Sequence, residues 1–265
     1  MKIVVLKSPD RTRPGAARIQ TICAALRRLG YDLLERTSGA SLLSALRLDA
    51  PDVVFNLAAV YGADYAHRLP AVFEIAGVPY TGSGILALGL AQTYSQLYPL
   101  LSGSGVAVPP FRLAPAGRPL PAEVSFPLTL RCDGLRDGHN CENALELERA
   151  WRSRPAETDC VLQARVRGRR LSLYLLDGLP FPAEGPRPCL PEAQHAFRLM
   201  EARGLARFDF VLDEGDRPLL ELVDAAPDPL DERLLNAAEG VGWNLDRVLH
   251  ALVQHSAMDG ARSAV

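Results

Sequence analysis

The chain has almost no lysine. Among its 265 residues, lysine occurs only at Lys2 and Lys7, and the other 27 basic residues are arginine. The sequence beyond residue 7 therefore lacks the ammonium group on which Schiff-base chemistry and phosphate-binding loops depend.

Other absences narrow the class of protein. The five cysteines are widely spaced and contain no C-x-x-C, so we expect neither a disulfide framework nor a zinc ribbon, and a reducing cytoplasm fits best. No apolar run reaches about eighteen residues and no signal-peptide core is recognisable, so we expect no membrane span and no secretion. A net charge of -2 gives no long-range attraction to nucleic acid or to an anionic membrane. A hydrophobic content of 48% with 23% charged residues predicts a folded globular protein, and the length of 265 residues predicts two or three small lobes.

The first eighty residues alternate between two patterns. Strand-like segments at 2–6, 31–34 and 52–57 are separated by helix-like segments at 19–29, 41–48 and 66–76. Gly30 and Gly77 follow two of these helices as stop signals. The alternation predicts an open parallel sheet with helices on both faces, whose ligands usually lie beyond the carboxyl ends of the strands.

After a further helix, the pattern changes from alternating strands and helices to strands that resemble hairpins. One helix is expected from Ile85 to Ser102, interrupted by Pro99, before a glycine- and proline-rich loop that marks a lobe boundary. The other predicted elements are strands at 128–132, 161–165, 171–176, 206–212 and 218–223, helices at 142–153 and 192–203, a proline-rich loop at 180–191, a turn at 213–216 and a final helix from 244.

Several motifs resemble D-alanine:D-alanine ligases and related ATP-grasp proteins. They are Phe55-Asn56-Leu57, Leu69 to Glu74, Gly77 to Gly84, an ungapped match from Thr81 to Phe111, Val161-Leu162, Gly168, Arg207 to Phe210 and Leu220-Glu221. The resemblance covers most of the chain. It implies an α/β ATP-grasp fold, with an N-terminal open parallel α/β (pre-ATP-grasp) domain at residues 1–84. Two α+β ATP-grasp lobes would follow, the central one at 85–162 and the C-terminal one at 163–265.

The resemblance also implies a reaction and its residues. Such ligases use ATP and Mg²⁺ to activate a carboxylate as an acyl phosphate, which an amine of an amino acid or peptide attacks, and they pair as homodimers through the N-terminal domain. Arg207 matches the catalytic arginine that steadies the oxyanion, and Asp209 and Glu221 match magnesium ligands. Val223 stands where the family has asparagine, and Asp224 takes that metal role if one residue is inserted before Pro227. Without the resemblance, the Arg-Asp-Glu trio would be interpreted as a surface cluster at a sheet end.

The nucleotide positions depart from the family pattern. Tyr94 and Tyr98 replace lysines, and Arg131 matches the second phosphate-binding lysine. Gln163 matches the glutamate near adenine, and Arg170 reverses the charge of the acidic residue that holds the ribose. The other departures are a phosphate loop at 133–138 without serine, a proline-rich segment between 176 and 192 in place of the substrate-covering loop, and no glutamate at 10–19 to meet the substrate amine.

Three hypotheses follow for the function. The first is an ATP-grasp protein with eroded nucleotide and substrate sites that cannot perform standard D-Ala-D-Ala ligation. Loss of one phosphate lysine and one ribose acid removes about 3 to 6 kcal/mol of charged hydrogen bonding. The second is an active carboxylate-amine ligase with an unusual substrate, in which Arg131 replaces lysine. The third is a non-catalytic structural or dimerisation partner.

Overall fold

The amino-terminal part of the chain forms a parallel three-stranded sheet. In a computed structural model, which describes residues 1–9, 13–61, 66–121, 123–135, 137–182 and 187–263, strand β1 (Lys2–Lys7) lies between β2 (Asp32–Thr37) and β3 (Val53–Asn56). Every residue from Ile3 to Leu6 is fully buried, as expected of a central strand that is covered on both faces. The predicted open parallel sheet is confirmed.

Helices cover both faces of this sheet. They are α1 (Arg13–Arg28), α2 (Leu42–Asp49), α3 (Leu57–Val60) and α4 (Leu69–Ala76), and a 3₁₀ turn at Ala66–Arg68 precedes α4. The predicted stops are confirmed, because Gly30 (φ 82°) and Gly77 (φ 68°) both adopt the left-handed conformation. After each glycine the next backbone N–H reaches five residues back, which is the hydrogen bond of a Schellman motif.

The middle of the chain forms an antiparallel four-stranded sheet. Its strands are β4 (Phe111–Ala114), β5 (Leu128–Cys132), β6 (His139–Cys141) and β7 (Cys160–Ala164), arranged in the order β4-β7-β5-β6. Helix α7 (Ala144–Ser153) packs Leu147 against one face. On the other face α6 (Tyr94–Gly103), which follows α5 (Ile85–Gln92), packs two tyrosines against Val161.

A second antiparallel sheet lies in the carboxyl-terminal part. Its strands are β8 (Arg169–Leu176), β9 (Leu179–Pro180), β10 (Leu205–Leu212) and β11 (Pro218–Asp224), in the order β11-β10-β8-β9. Helix α8 (Leu190–Leu199), after a 3₁₀ turn at Arg187–Cys189, covers one face, and Phe197 there contacts Phe208. Helix α9 (Glu232–Glu239) and helix α10 (Leu245–Ser263) complete the chain.

Helix α10 returns to the first sheet. Its apolar side chains, Val248, Leu249, Leu252 and Val253, share a hydrophobic core with Ile3 and Val5 of β1. The last helix therefore covers one face of the amino-terminal sheet. The three sheets follow the order of the three predicted domains. Strand β7 extends two residues beyond residue 162, where the central lobe is expected to end. The domain boundaries themselves stay a prediction.

Three local predictions were wrong. The helix predicted from Ile85 is broken at Thr93, not at Pro99, because the Asp133 carboxylate accepts hydrogen bonds at the start of a new helix, α6, which accommodates Pro99. Helix α8 ends at Leu199 rather than Arg203, because Glu201 (φ 51°) closes a Schellman motif there. The predicted loop 180–191 contains the end of β9, the 3₁₀ turn and the start of α8, and its residues 183–186 lie outside the described part.

Within the described ranges, no helix is both long enough and apolar enough to cross a lipid bilayer.

Candidate functional site

One face of the carboxyl-terminal sheet carries a row of polar side chains. On β10, Arg207 and Asp209 lie two residues apart and so point to the same face. Asp209 is opposite Ser172 on β8, whereas Arg207 is opposite Tyr174 on β8 and Asp224 on β11. The sequence therefore brings the predicted catalytic arginine and two predicted metal ligands to one surface.

Arg207 is the centre of this surface. Its side chain is only 16% exposed and contacts three carboxylates: Nε lies 3.3 Å from Asp209, Nη2 lies 3.6 Å from Asp224, and Nη1 donates to Asp231 at 2.6 Å. Burial is the largest influence on the guanidinium and opposes its charge, but the carboxylates outweigh it and raise the pKa of Arg207. Arg207 is therefore positively charged and is shared by three carboxylates.

Arg233 is a site residue that the sequence analysis missed. It lies in the first turn of α9, where Asp231 accepts a hydrogen bond from its backbone N–H at 2.9 Å as the helix cap. Its Nη1 donates to the Ser172 hydroxyl at 3.0 Å and lies 3.6 Å from Asp209. Ser172 in turn donates to Asp209 at 2.7 Å. The aspartic acid at the cap was the signal that could have located this helix.

Glu221 sits at an irregularity in the sheet. The register of β10 and β11 shifts between Asp209 and Phe210, so Glu221 has no direct partner across the pair. Its carboxylate accepts hydrogen bonds from Nε and Nη2 of Arg170 at 3.1 and 3.2 Å. Its backbone carbonyl accepts from Gln163 at 3.2 Å and from the Tyr98 hydroxyl at 2.5 Å. Burial raises the pKa of Tyr98.

The predicted nucleotide residues contact each other. Arg131 donates from Nε to the side-chain oxygen of Gln163 at 2.7 Å, and its guanidinium lies 5.6 Å from the ring centre of Tyr94. Gln163 is 2% exposed. Arg131, Gln163, Arg170 and Glu221 thus form one connected network, which meets the Arg207 cluster along β11.

The start of α6 is occupied by a carboxylate of the chain itself. Asp133 accepts hydrogen bonds from the backbone N–H of Ser95 at 3.0 Å and from its hydroxyl at 2.5 Å. A helix N-terminus offers N–H groups and a positive dipole end, which is why phosphates bind at such positions. Burial raises the pKa of Asp133, and the two hydrogen bonds from Ser95 oppose that rise. Of the loop 133–138, residue 136 lies outside the described part, as do residues 10–12 of the segment 10–19.

The carboxylates do not form a magnesium site as they are arranged. Among the residues that the structure describes, no group of three or more histidine, cysteine, aspartate or glutamate side chains is placed to hold a metal ion. Asp209 and Asp224 face Arg207, and Glu221 is bound by Arg170. Val223 is 2% exposed in the core, and Asp224 on the site face caps the N–H of Ala226 at 3.0 Å. Mg²⁺ prefers carboxylate oxygens in octahedral geometry, so these residues do not fit the ion without losing their arginine partners.

Two buried polar atoms on the site face have no hydrogen-bond partner within the described chain. They are Nε of Arg207 and the hydroxyl of Tyr174, whose side chain is 3% exposed. Burial raises the pKa of this tyrosine. Both atoms are enclosed within the charge cluster, and Nε of Arg207 lies 3.3 Å from the Asp209 carboxylate, so the cluster itself surrounds them.

Comparisons with known proteins agree with the fold and with the motifs. No family model matches the chain. A D-alanine–D-alanine ligase of Syntrophotalea carbinolica is 28% identical over 88% of this chain and 88% of that protein. The corresponding ligase of Nitrosomonas europaea is 25% identical over 89% and 90%.

Solved structures extend this similarity to the whole chain. A D-alanine–D-alanine ligase from Bacillus anthracis complexed with ATP superimposes with a TM-score of 0.85, covering 99% of both chains at 15% identity. The ligase from Coxiella burnetii gives 0.80, covering 100% of this chain and 97% of that one at 16% identity. The chain has the ATP-grasp fold, and along most of its length it is similar in sequence and structure to D-alanine–D-alanine ligases, from which it diverges widely.

Proposed function

We propose that this protein is an ATP-grasp protein whose nucleotide and substrate sites are eroded and that it does not carry out standard D-Ala-D-Ala ligation. One observation carries the proposal. The residues at the expected phosphate, adenine, ribose and metal positions are bound to other side chains of the same chain, as Arg131 to Gln163 and Arg170 to Glu221.

The phosphate end supports this proposal. To bind a phosphate, Arg131 must give up its 2.7 Å hydrogen bond to Gln163. A phosphate at the start of α6 also meets the Asp133 carboxylate, which already uses the N–H of Ser95. Two like charges about 4 Å apart repel by roughly 4 kcal/mol at the effective dielectric of a protein surface. No lysine remains after residue 7 to offset that repulsion.

The residues at the expected metal and substrate positions also support the proposal. Divalent ions at Asp209 and Glu221 compete with guanidinium groups already at 3.3 and 3.1 Å. The connection between β9 and α8 has only residues 181–189, in place of a long covering loop. A short connection gives little means to exclude water from an acyl phosphate.

A second candidate is an active carboxylate-amine ligase with an unusual amino acid or peptide substrate. Arg131 favours it, because an arginine at the position of the second phosphate-binding lysine can hold a phosphate in its place. In either case we expect a homodimer, which light scattering measures.

Release of ADP separates the two candidates. The protein is incubated with ATP, Mg²⁺ and D-alanine, and then with a panel of amino acids and dipeptides, beside an Asp209→Ala variant. We expect D-alanine to produce no ADP above the level of that variant. ADP release with any panel member that Asp209→Ala abolishes contradicts erosion and supports the active ligase.

A further inference from the structure

Two cysteines face each other across the central sheet. Cys132 is the last residue of β5, Cys160 is the first residue of β7, and the antiparallel register pairs them directly. Their sulfur atoms lie 2.6 Å apart, and both side chains are buried, at 1% and 0% exposed. Both are free thiols.

The backbone around the pair suits a covalent link. The N–H of Asp133 donates to the carbonyl of Asp159 at 2.9 Å, just outside the two cysteines. In an antiparallel ladder this makes Cys132 and Cys160 a non-hydrogen-bonded pair, whose Cα atoms are typically about 4.5 Å apart. Disulfides span Cα separations of about 4.4 to 6.8 Å. The strands can therefore accept a disulfide without moving apart or sliding.

The two thiols also differ in reactivity. The thiol of Cys160 donates a hydrogen bond to the sulfur of Cys132, and this bond lowers the pKa of Cys132 against the opposing effect of burial; the Arg154 charge lowers it further. The same contact raises the pKa of Cys160. Burial raises the pKa of Cys23, Cys141 and Cys189. Because the thiolate is the nucleophile, the lowered pKa favours Cys132 over Cys160 as the attacking sulfur.

We propose that Cys132 and Cys160 are a redox modification site that closes a reversible cross-strand disulfide when the protein meets a small peroxide. The Cys132 sulfur attacks one peroxide oxygen, the O–O bond breaks, and one water leaves, so that Cys132 becomes a sulfenic acid. The Cys160 sulfur then attacks the sulfenic sulfur, and the S–S bond forms as a second water leaves. Two thiols are oxidised by two electrons and hydrogen peroxide is reduced to two waters. A dithiol reductant reverses the reaction by thiol–disulfide exchange.

The site lies at the end of the central sheet, next to two residues discussed above. Cys132 stands between Arg131 and Asp133, and its side chain packs in the core beneath α7, on the face opposite Arg131. Closing the bond would fix the ends of β5 and β7 without using any side chain of the Arg207 cluster. The inference therefore does not depend on the proposed function.

Thiol counting and peptide mapping test this proposal. The intact protein is treated with hydrogen peroxide, unfolded in an alkylating reagent, and analysed by mass spectrometry. We expect two of the five thiols to be lost. Trypsin should release residues 132–136 linked to residues 153–165, since it does not cleave before Pro155. Dithiothreitol should restore all five thiols.

Single-cysteine variants provide the matched controls. Cys132→Ala and Cys160→Ala should each abolish the linked peptide, whereas Cys141→Ala, which removes another buried cysteine of the same sheet, should retain it. If Cys132→Ala does not fold, the map of the unsubstituted protein decides alone. Retention of five alkylated cysteines after peroxide treatment would overturn the proposal. So would oxidised cysteines without the linked peptide, or a link through a different cysteine.

Discussion

Replacing Arg207 by methionine tests whether the buried charge cluster holds the carboxyl-terminal sheet together. Methionine keeps most of the side-chain volume but removes the guanidinium that contacts Asp209, Asp224 and Asp231 at 3.3, 3.6 and 2.6 Å. Breaking a buried ion pair by removing one partner usually costs about 3 to 5 kcal/mol, because a charge is left uncompensated. The three carboxylates keep other partners, such as Ser172 for Asp209. We therefore expect a loss of about 3 kcal/mol, at the lower end of that range.

Urea unfolding followed by circular dichroism measures this loss. As a control, Arg152→Met removes an arginine that is 76% exposed and pairs with Glu148 one helical turn away; such a pair contributes about 0.3 to 0.5 kcal/mol. The double variant Arg207→Met with Asp231→Asn should recover about 1 kcal/mol of the loss, because it removes one unpaired charge. A loss below about 1 kcal/mol for Arg207→Met would refute the reasoning, since it would resemble a surface pair.

Three further predictions concern the fold. Asp133→Ala should lower the free energy of unfolding by about 1 kcal/mol through loss of the α6 cap, whereas Asp137→Ala, an exposed neighbour, should change it by less than about 0.5 kcal/mol in the same urea titration. Gly168→Ala should cost about 3 kcal/mol or prevent folding, because a Cβ there would lie 1.9 Å from the Leu212 carbonyl oxygen. As a control, the Cβ of Gly103→Ala would meet nothing within 4 Å, so thermal melting should show a neutral or stabilising change. Burial raises the pKa of Tyr61, Tyr98 and Tyr174, so stability should fall as the pH rises above about 10, where these three tyrosines ionise in the unfolded chain before they ionise in the folded one. An absorbance titration of the folded protein in which no tyrosine ionises later than about pH 10 would disprove this.

Local signals in the sequence were sufficient for much of the fold. Side-chain burial explains the apolar strand Ile3–Leu6, and the left-handed conformation of glycine explains the helix ends at Gly30 and Gly77. Each of these causes acts within a few residues of the chain. The end of α8 has the same hydrogen bonds as those stops but uses Glu201 instead of glycine. A sequence pattern that searches for glycine could not find it.

Contacts between distant segments could not be predicted in this way. Asp133 caps a helix that begins 39 residues earlier, at Tyr94, so the break at Thr93 involves a contact that no local pattern contains. The shift in register between β10 and β11 beside Asp209 determines that Glu221 pairs with Arg170. Such a shift arises only when the two strands pair, so neither strand's own sequence predicts it. The resemblance named site residues that lie near each other in the structure, but their mutual pairing depends on the register of three strands. The roles assigned to them stay predictions.

A calorimetric titration of the protein with ATP in excess Mg²⁺ tests the central claim most directly. Because Arg131 and the N-terminus of α6 are already engaged by Gln163 and Asp133, the account predicts a dissociation constant weaker than about 1 mM, equivalent to less than about 4 kcal/mol of binding free energy. A dissociation constant in the micromolar range, lost on Arg131→Met, would contradict it, since it would mean that Arg131 leaves Gln163 to hold the triphosphate.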